Sequence, residues 1–328
     1  MKILLAAIAA LLLVAAPAGA ACTSSSQKAK RVSLTVSGQK STGYASLPRR
    51  SPRALVVVAH GYNWAADSWK SKLAKIAADD RAVAVAPDIR GLRTVRIENG
   101  FKKTRGIPVR NGVADLIAYS RSYAKRCNLK SIVLVGYSIG GTYSGNALMK
   151  KPRRSNGKPL FDWYVGMETI EDVFGEFQIA KALPNDPFIQ GAVADAKAEL
   201  GGTIDEKPAA YHAVSPIEHV DRIKASGLRG AIVVHGIDDG LVLYQQSVDM
   251  TKALRKAGIK TDLWTARKRR PGDEPDTQLS ARGGNPGPDS GHASDTAIHH
   301  LVPSTGLKVI HDLIVLGKRP SNRDRDVP

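Results

Sequence analysis

The chain is poor in aromatic side chains, 5% of 328 residues. Stacking platforms for single-stranded nucleic acid are correspondingly scarce, and no nucleic-acid motif accompanies the basic residues. Acidic residues are also in the minority, 30 Asp and Glu against 48 Lys and Arg, which leaves a net charge of +18. No stretch after the first twenty residues approaches eighteen consecutive apolar positions, so no later membrane span is expected. No internal repeat is found, and His212 and His219 lack the helical or Cys/Asp spacing of a metal site, so no metal is expected.

The excess of positive charge is spread over Arg49-Arg50, the 90–110 stretch, residues 150–154 and residues 267–270. Such a field attracts anionic partners such as envelope polymers, phospholipid head groups or nucleic acid, and charge alone does not choose among them. A solvated basic surface on an exported protein is the reading preferred here, with attraction to an anionic envelope and no specific nucleic-acid partner.

Export is expected from the start of the chain. Lys2, the apolar residues 3–14 and the small residues Ala18-Gly19-Ala20 have the layout of a signal peptide at 1–20, cut after Ala20. The mature protein is then periplasmic or secreted, and soluble. Cys22 follows the cut and raises lipid attachment, but Gly19 stands where a lipobox carries Leu. Cys127 is the other cysteine; in an oxidising compartment the two could pair, but sequence alone does not place their Cα atoms within bridging distance.

The remaining length and 43% hydrophobic content suit a sizeable core. Residues 21–30 read as a loose segment, and "RVSLTVS" and "TGYASLP" as an antiparallel pair. "ALVVVAH", "AVAVAP", "SIVLVG" and "GAIVVHG" are β-branched runs of the kind buried on both faces of a parallel sheet. Amphipathic segments at 67–80, 113–125, 243–258 and 301–318 separate and follow them. Strand and helix in alternation predict an α/β fold, a mostly parallel central sheet flanked by helices. Residues 151–211 interrupt the rhythm as a cap-like insertion with one more strand near 164–168, residues 267–291 read as a long Pro/Gly-rich loop, and 319–328 as a charged tail.

Within "VLVGYSIGGTY", Ser138 lies between Gly136 and Gly140 where a strand should run directly into a helix. A turn that sharp strains the serine backbone and admits only glycine on either side, and it lifts the hydroxyl over the carboxyl ends of the strands. A serine hydroxyl becomes a useful nucleophile only when a base takes its proton and a carboxylate orients the base. Asp238 and Asp239 follow the 231–234 strand, and His292 lies in a Gly-flanked loop before the last helix. Serine, acid and histidine therefore occur in the order this architecture requires. Asp172 is a remoter acid candidate, more simply read as a helix-end charge. His299, His300 and His311 read as surface or packing residues, and His60 and His235 as loop-holding ones.

Five segments in order, "VVVAHGYNW", "VAPDIRG", "GYSIGG", "HGIDDGLV" and "SGH", resemble the α/β-hydrolase fold family over residues 54–318. Residues 199–225 lean toward its prolyl-oligopeptidase-like and dienelactone-hydrolase-like branch. The resemblance implies Ser138 as nucleophile, Asp239 as orienting acid, His292 as base, and the backbone N–H groups of Tyr62 and Ile139 as the oxyanion hole. Asp239 rests on spacing within the resemblance, with Asp238 adjacent. Trp64, in the same loop as Tyr62, is a candidate for the substrate pocket. The function implied is an exported serine hydrolase acting on a small-molecule or lipid-like carboxylic ester, without a cofactor. A small serine peptidase or amidase and a non-catalytic envelope-binding protein on the same scaffold are the alternatives; oligomeric state is not readable.

Overall fold

The computed structural model describes residues 22–183, 186–237, 239, 241–266 and 297–327. The expected signal peptide at 1–20 and the long loop at 267–291 lie outside the described residues.

Strands form where β-branched and small apolar residues run together. They are β1 (Lys30–Val36), β2 (Gln39–Ser46), β3 (Ala54–Ala59), β4 (Ala82–Pro87), β5 (Arg93–Glu98), β6 (Phe101–Arg105), β7 (Ile132–Tyr137), β8 (Trp163–Met167), β9 (Gly230–Gly236), β10 (Thr261–Ala266) and β11 (Asp324–Val327). Among the described residues, nine of them build one sheet in the order β1-β2-β4-β3-β7-β8-β9-β10-β11. β2 runs antiparallel to β1 and to β4, and every other pairing in that sheet is parallel.

Nine helices are described: α1 (Lys70–Asp79), α2 (Val109–Arg126), α3 (Gly140–Met149), α4 (Val173–Lys181), α5 (Pro187–Leu200), α6 (Pro208–Ala213), α7 (Val220–Ala225), α8 (Tyr244–Lys256) and α9 (Ala297–Ile314). They cover both faces of the sheet, and β3 shows why its sequence is apolar throughout. Leu55 and Val57 point into a core shared with Leu116 of α2 and Leu254 of α8, while Val56 and Val58 point the other way, into a core shared with Ile76 of α1 and Ile310 of α9. With a side-chain period of two, a strand covered on both faces has no position left for a polar residue.

Two expectations change, and one element is new. The segment at 21–30 is tied down, not loose: Cys22 and Cys127 form a disulfide with Cα atoms 5.6 Å apart, and the Ser46 hydroxyl donates to the Gln27 carbonyl at 2.6 Å. The tail expected at 319–328 carries β11, a charged edge strand along β10 that extends the sheet by main-chain pairing. The basic 90–110 stretch folds into the hairpin β5–β6, turned by Asn99 and Gly100 with φ of 49° and 78°. Within residues 151–211, the expected strand is β8, a full member of the central sheet, and helices α4, α5 and α6 follow it.

Candidate active site

β7 is buried along its whole length and passes into α3 through Ser138 and Ile139. Ser138 has a left-handed φ of 56° and is 5% exposed. For a residue with a Cβ this conformation is costly and needs external support. Support comes from the neighbouring strand. The Ser138 amide donates to the Met167 carbonyl at 3.0 Å, and the Ser138 carbonyl accepts from Gly141 at 2.9 Å and Ile170 at 3.1 Å. The flanking glycines are steric requirements: a Cβ on Gly136 would lie 2.8 Å from the Gly141 Cα, and one on Gly140 would overlap the Ala59 carbonyl at the end of β3.

The loop after β3 closes on this turn from the other side. A Cβ on Gly61 would meet the Ser138 Cβ at 3.3 Å and the Tyr137 ring at 3.1 Å, so the loop packs tightly against the turn there. Next in the chain is Tyr62, and among the described residues neither its N–H nor that of Ile139 donates to a backbone carbonyl. Beneath the loop His60 is buried, its Nδ1 is 3.0 Å from the Gly61 carbonyl, and burial lowers its pKa. The ring therefore stays neutral and brings no positive charge to the turn.

The Tyr62 hydroxyl donates to Asp195 of α5 at 2.6 Å, and its ring meets Phe188 edge-on with centroids 5.4 Å apart. Trp64 lies farther along, against the hairpin: Lys103 Nζ sits 3.4 Å from the centre of its ring, and Phe101 stands edge-on at 6.3 Å. The contacts of Trp64 are thus with β6, whereas Gly61 is the loop residue that abuts Ser138.

Asp239 stands just past the carboxyl end of β9, 1% exposed. Its Oδ1 accepts from the Leu241 and Val242 amides at 2.8 and 3.0 Å, which fixes the loop that carries it. Oδ2 lies 3.4 Å from His235 Nε2. His235 itself is fully buried between Ser247 Oγ at 2.6 Å and the Val242 carbonyl at 2.8 Å, a loop-holding role. Asp238 and His292 lie outside the described residues, as do the side chains of His299 and His300. His311 pairs with Asp80 at 2.8 Å, and Asp172 caps α4 by accepting from the Gly175 amide at 2.8 Å.

One acid near the turn was not anticipated. Glu168, immediately after β8, is fully buried with a φ of 48°, and its amide donates to the Val234 carbonyl of β9 at 2.9 Å. Burial, and then the charge of Asp239, push its pKa well above the ordinary carboxylate range. Sequence offers no signal for this beyond a carboxylate at a strand end, because the closeness of Glu168 to Asp239 arises only from the adjacency of β8 and β9. Among the described residues no group of three or more His, Cys, Asp or Glu side chains is arranged to hold a metal ion.

A mostly parallel sheet in this strand order, with a serine at a left-handed turn between a buried strand and its following helix, is an α/β-hydrolase fold. The chain belongs to the BD-FAE family, an α/β-hydrolase family whose model matches residues 44–254.

Solved structures show the same fold at low identity. Porphyromonas gingivalis dipeptidyl peptidase 4 superposes with a TM-score of 0.55 at 16% identity, over 87% of this chain and 35% of that one. A puromycin-hydrolyzing peptidase of Mycobacterium tuberculosis gives 0.56 at 13% identity, over 91% of this chain and 42% of that one. Prolyl oligopeptidase B from Galerina marginata gives 0.53 at 15% identity, over 90% and 37%. The chain thus spans well under half the length of each. No curated protein matches it by sequence.

Proposed function

We propose that the protein is an exported serine hydrolase that cleaves carboxylic esters through an acyl-enzyme on Ser138. The observation that carries this reading is the strained turn itself, a left-handed serine held at the carboxyl edge of the sheet with Gly61 packed tightly against its Cβ. Strain of this kind persists where the surrounding structure maintains it, and it is a feature of functional sites.

In the proposed reaction His292 removes the Ser138 proton as the hydroxyl attacks the carbonyl, and Asp239 orients and stabilises the charged imidazole. The Tyr62 and Ile139 N–H groups receive the developing oxyanion, His292 protonates the departing alcohol, and water then attacks the acyl-enzyme by the same route. Electrostatic support at the oxyanion contributes most, because the donors are fixed before charge develops. Removal of one such donor typically costs about 10²- to 10³-fold in rate.

Export is supported by the Cys22–Cys127 disulfide, which suits an oxidising compartment. A sulfur held in that bond is not available for a lipid thioether, so the unlipidated form is the one proposed.

The second reading, a small peptidase or amidase, is favoured by the peptidase names of the structural neighbours. Turnover of p-nitrophenyl acyl esters measured against prolyl and aminoacyl anilides separates the two. Ester preference of at least about tenfold in kcat/KM, abolished in Ser138→Ala and in His292→Ala, is the expected result. Preferential anilide cleavage by the same serine would establish the peptidase, and an unlabelled Ser138 with no turnover would leave a binding protein.

A further inference from the structure

Asp195 lies on α5, far in sequence from the Ser138 turn, yet one of its carboxylate oxygens collects three donors from the site's surroundings. Oδ2 accepts from the Tyr62 hydroxyl at 2.6 Å, from Arg105 Nε at 2.8 Å and from the Gly106 amide at 2.8 Å. Arg105 closes the arrangement by donating to the Gly191 carbonyl, one turn back on α5, at 2.7 Å. Asp195 is 8% exposed, so these bonds form largely away from water. Burial raises a carboxyl's pKa, but the bonds from Arg105, Tyr62 and Gly106 outweigh it and hold Asp195 below its ordinary range.

The sequence shows a concession to this arrangement. Gly191 interrupts α5, where glycine costs about 1 kcal/mol relative to alanine. A Cβ there would lie 2.7 to 2.8 Å from the Arg105 guanidinium atoms. A side chain at 191 would have to displace the Arg105 guanidinium from the place where it reaches the Gly191 carbonyl.

We propose that Asp195 is a positioning residue that sets the oxyanion donor at Tyr62, joining three separate pieces of chain: the loop after β3, the end of β6, and α5. The proposal rests on the assignment of the Tyr62 N–H to the oxyanion hole made above. The Gly61–Tyr62 peptide is held from two sides: His60 Nδ1 lies 3.0 Å from the Gly61 carbonyl, and the Tyr62 ring is fixed at its hydroxyl by Asp195 and at its edge by Phe188. The Tyr62 N–H belongs to that peptide, one residue from the Ser138 contact, so the ring is one of the two anchors that hold it in place. α5 therefore has a say in the chemistry without touching the reacting atoms.

The test uses the mature protein with a short-chain p-nitrophenyl ester and a fluorophosphonate probe. Tyr62→Phe removes only the hydroxyl and leaves Asp195 paired with Arg105. It is expected to lower kcat about tenfold with KM nearly unchanged, and to slow phosphonylation of Ser138 by a similar factor, since misplacing a donor affects every reaction through that anion. Asp195→Asn should lower kcat at least as far, and the double variant no further than Asp195→Asn alone. Thermal unfolding of each variant separates loss of fold from loss of rate. Normal kcat and labelling in both variants, with Ser138→Ala inactive, would overturn the positioning role and leave the parent reading standing. Full activity in Ser138→Ala would remove the parent reading instead.

Discussion

The Ser138 amide donates to the Met167 carbonyl at 3.0 Å, so the Ser138 turn hangs from the end of β8 instead of standing on β7 alone. β8 is in turn fastened to β9 through the bond from the Glu168 amide to Val234. Three consecutive strands thereby locate the serine, the unexpected glutamate and Asp239 at one edge of the sheet, which is where open α/β sheets present their ligands.

Packing at the turn leaves no room for a side chain at Gly140, where a Cβ would occupy the Ala59 carbonyl. Gly140→Ala is expected to lose about 1–3 kcal/mol of stability, the typical range for forced overpacking, as β3 and α3 move apart. Urea unfolding measures it. An unchanged midpoint would show that the two elements are not in contact there.

Buried carboxyls make stability fall as pH rises. Burial raises Glu171 to about 7 and Glu176 to about 8, although Tyr164 donates to the former and Gln246 to the latter. An unfolded glutamate titrates near 4.3. Between roughly pH 4.3 and 8 the folded state therefore binds more protons than the unfolded one, and stability declines with pH across that window. Asp195 and Asp312 are held low and act in acid, and His60, whose pKa burial lowers, works in the opposite sense below about pH 6.5, so the glutamates' decline shows most fully above that. Tm should drop between pH 5 and pH 8, and the drop should shrink in Glu171→Gln/Glu176→Gln, whose amides mimic the protonated groups. An equal drop in wild type and variant would contradict the argument.

The Cys22–Cys127 bond closes a loop with a sequence separation of 105 residues. Chain-entropy arguments give about 4–5 kcal/mol for a loop of that size, with about 2–4 kcal/mol typical of measurement. Replacement of both cysteines by alanine should destabilise the protein by about 3 kcal/mol in urea unfolding and release residues 22–29 to proteolysis. Equal stability and equal protection would mean that the bond constrains nothing.

What could be read from sequence was what the core dictates. β3, β4, β7 and β9 are runs of small and β-branched residues because both their faces are covered, and α3 was placed by the G-x-S-x-G spacing that its steric needs impose. β5 and β11 escaped notice because they cover no core: "RTVRIE" and "DRDV" are largely solvent-facing and obey no apolar period, and β10, "TDLWTA", was missed although it is buried, because its Thr and Asp residues break the apolar run. Asn99-Gly100 was the one available sign of the hairpin. The bond between Tyr62 and Asp195 joins residues 133 apart, and Glu168 acquires its raised pKa from burial and a neighbouring strand. Neither relationship has a local signature, since each is created when distant segments are brought together by the sheet.

The central claim is that Ser138 becomes covalently acylated, and mass mapping of a trapped intermediate tests it most directly. Mixing the protein with a slowly deacylating p-nitrophenyl ester, quenching in acid and digesting should yield the 131–150 region carrying one acyl mass on Ser138, absent in Ser138→Ala. An active enzyme whose acyl group maps to another residue, or which turns over ester with Ser138 never modified, would contradict the account.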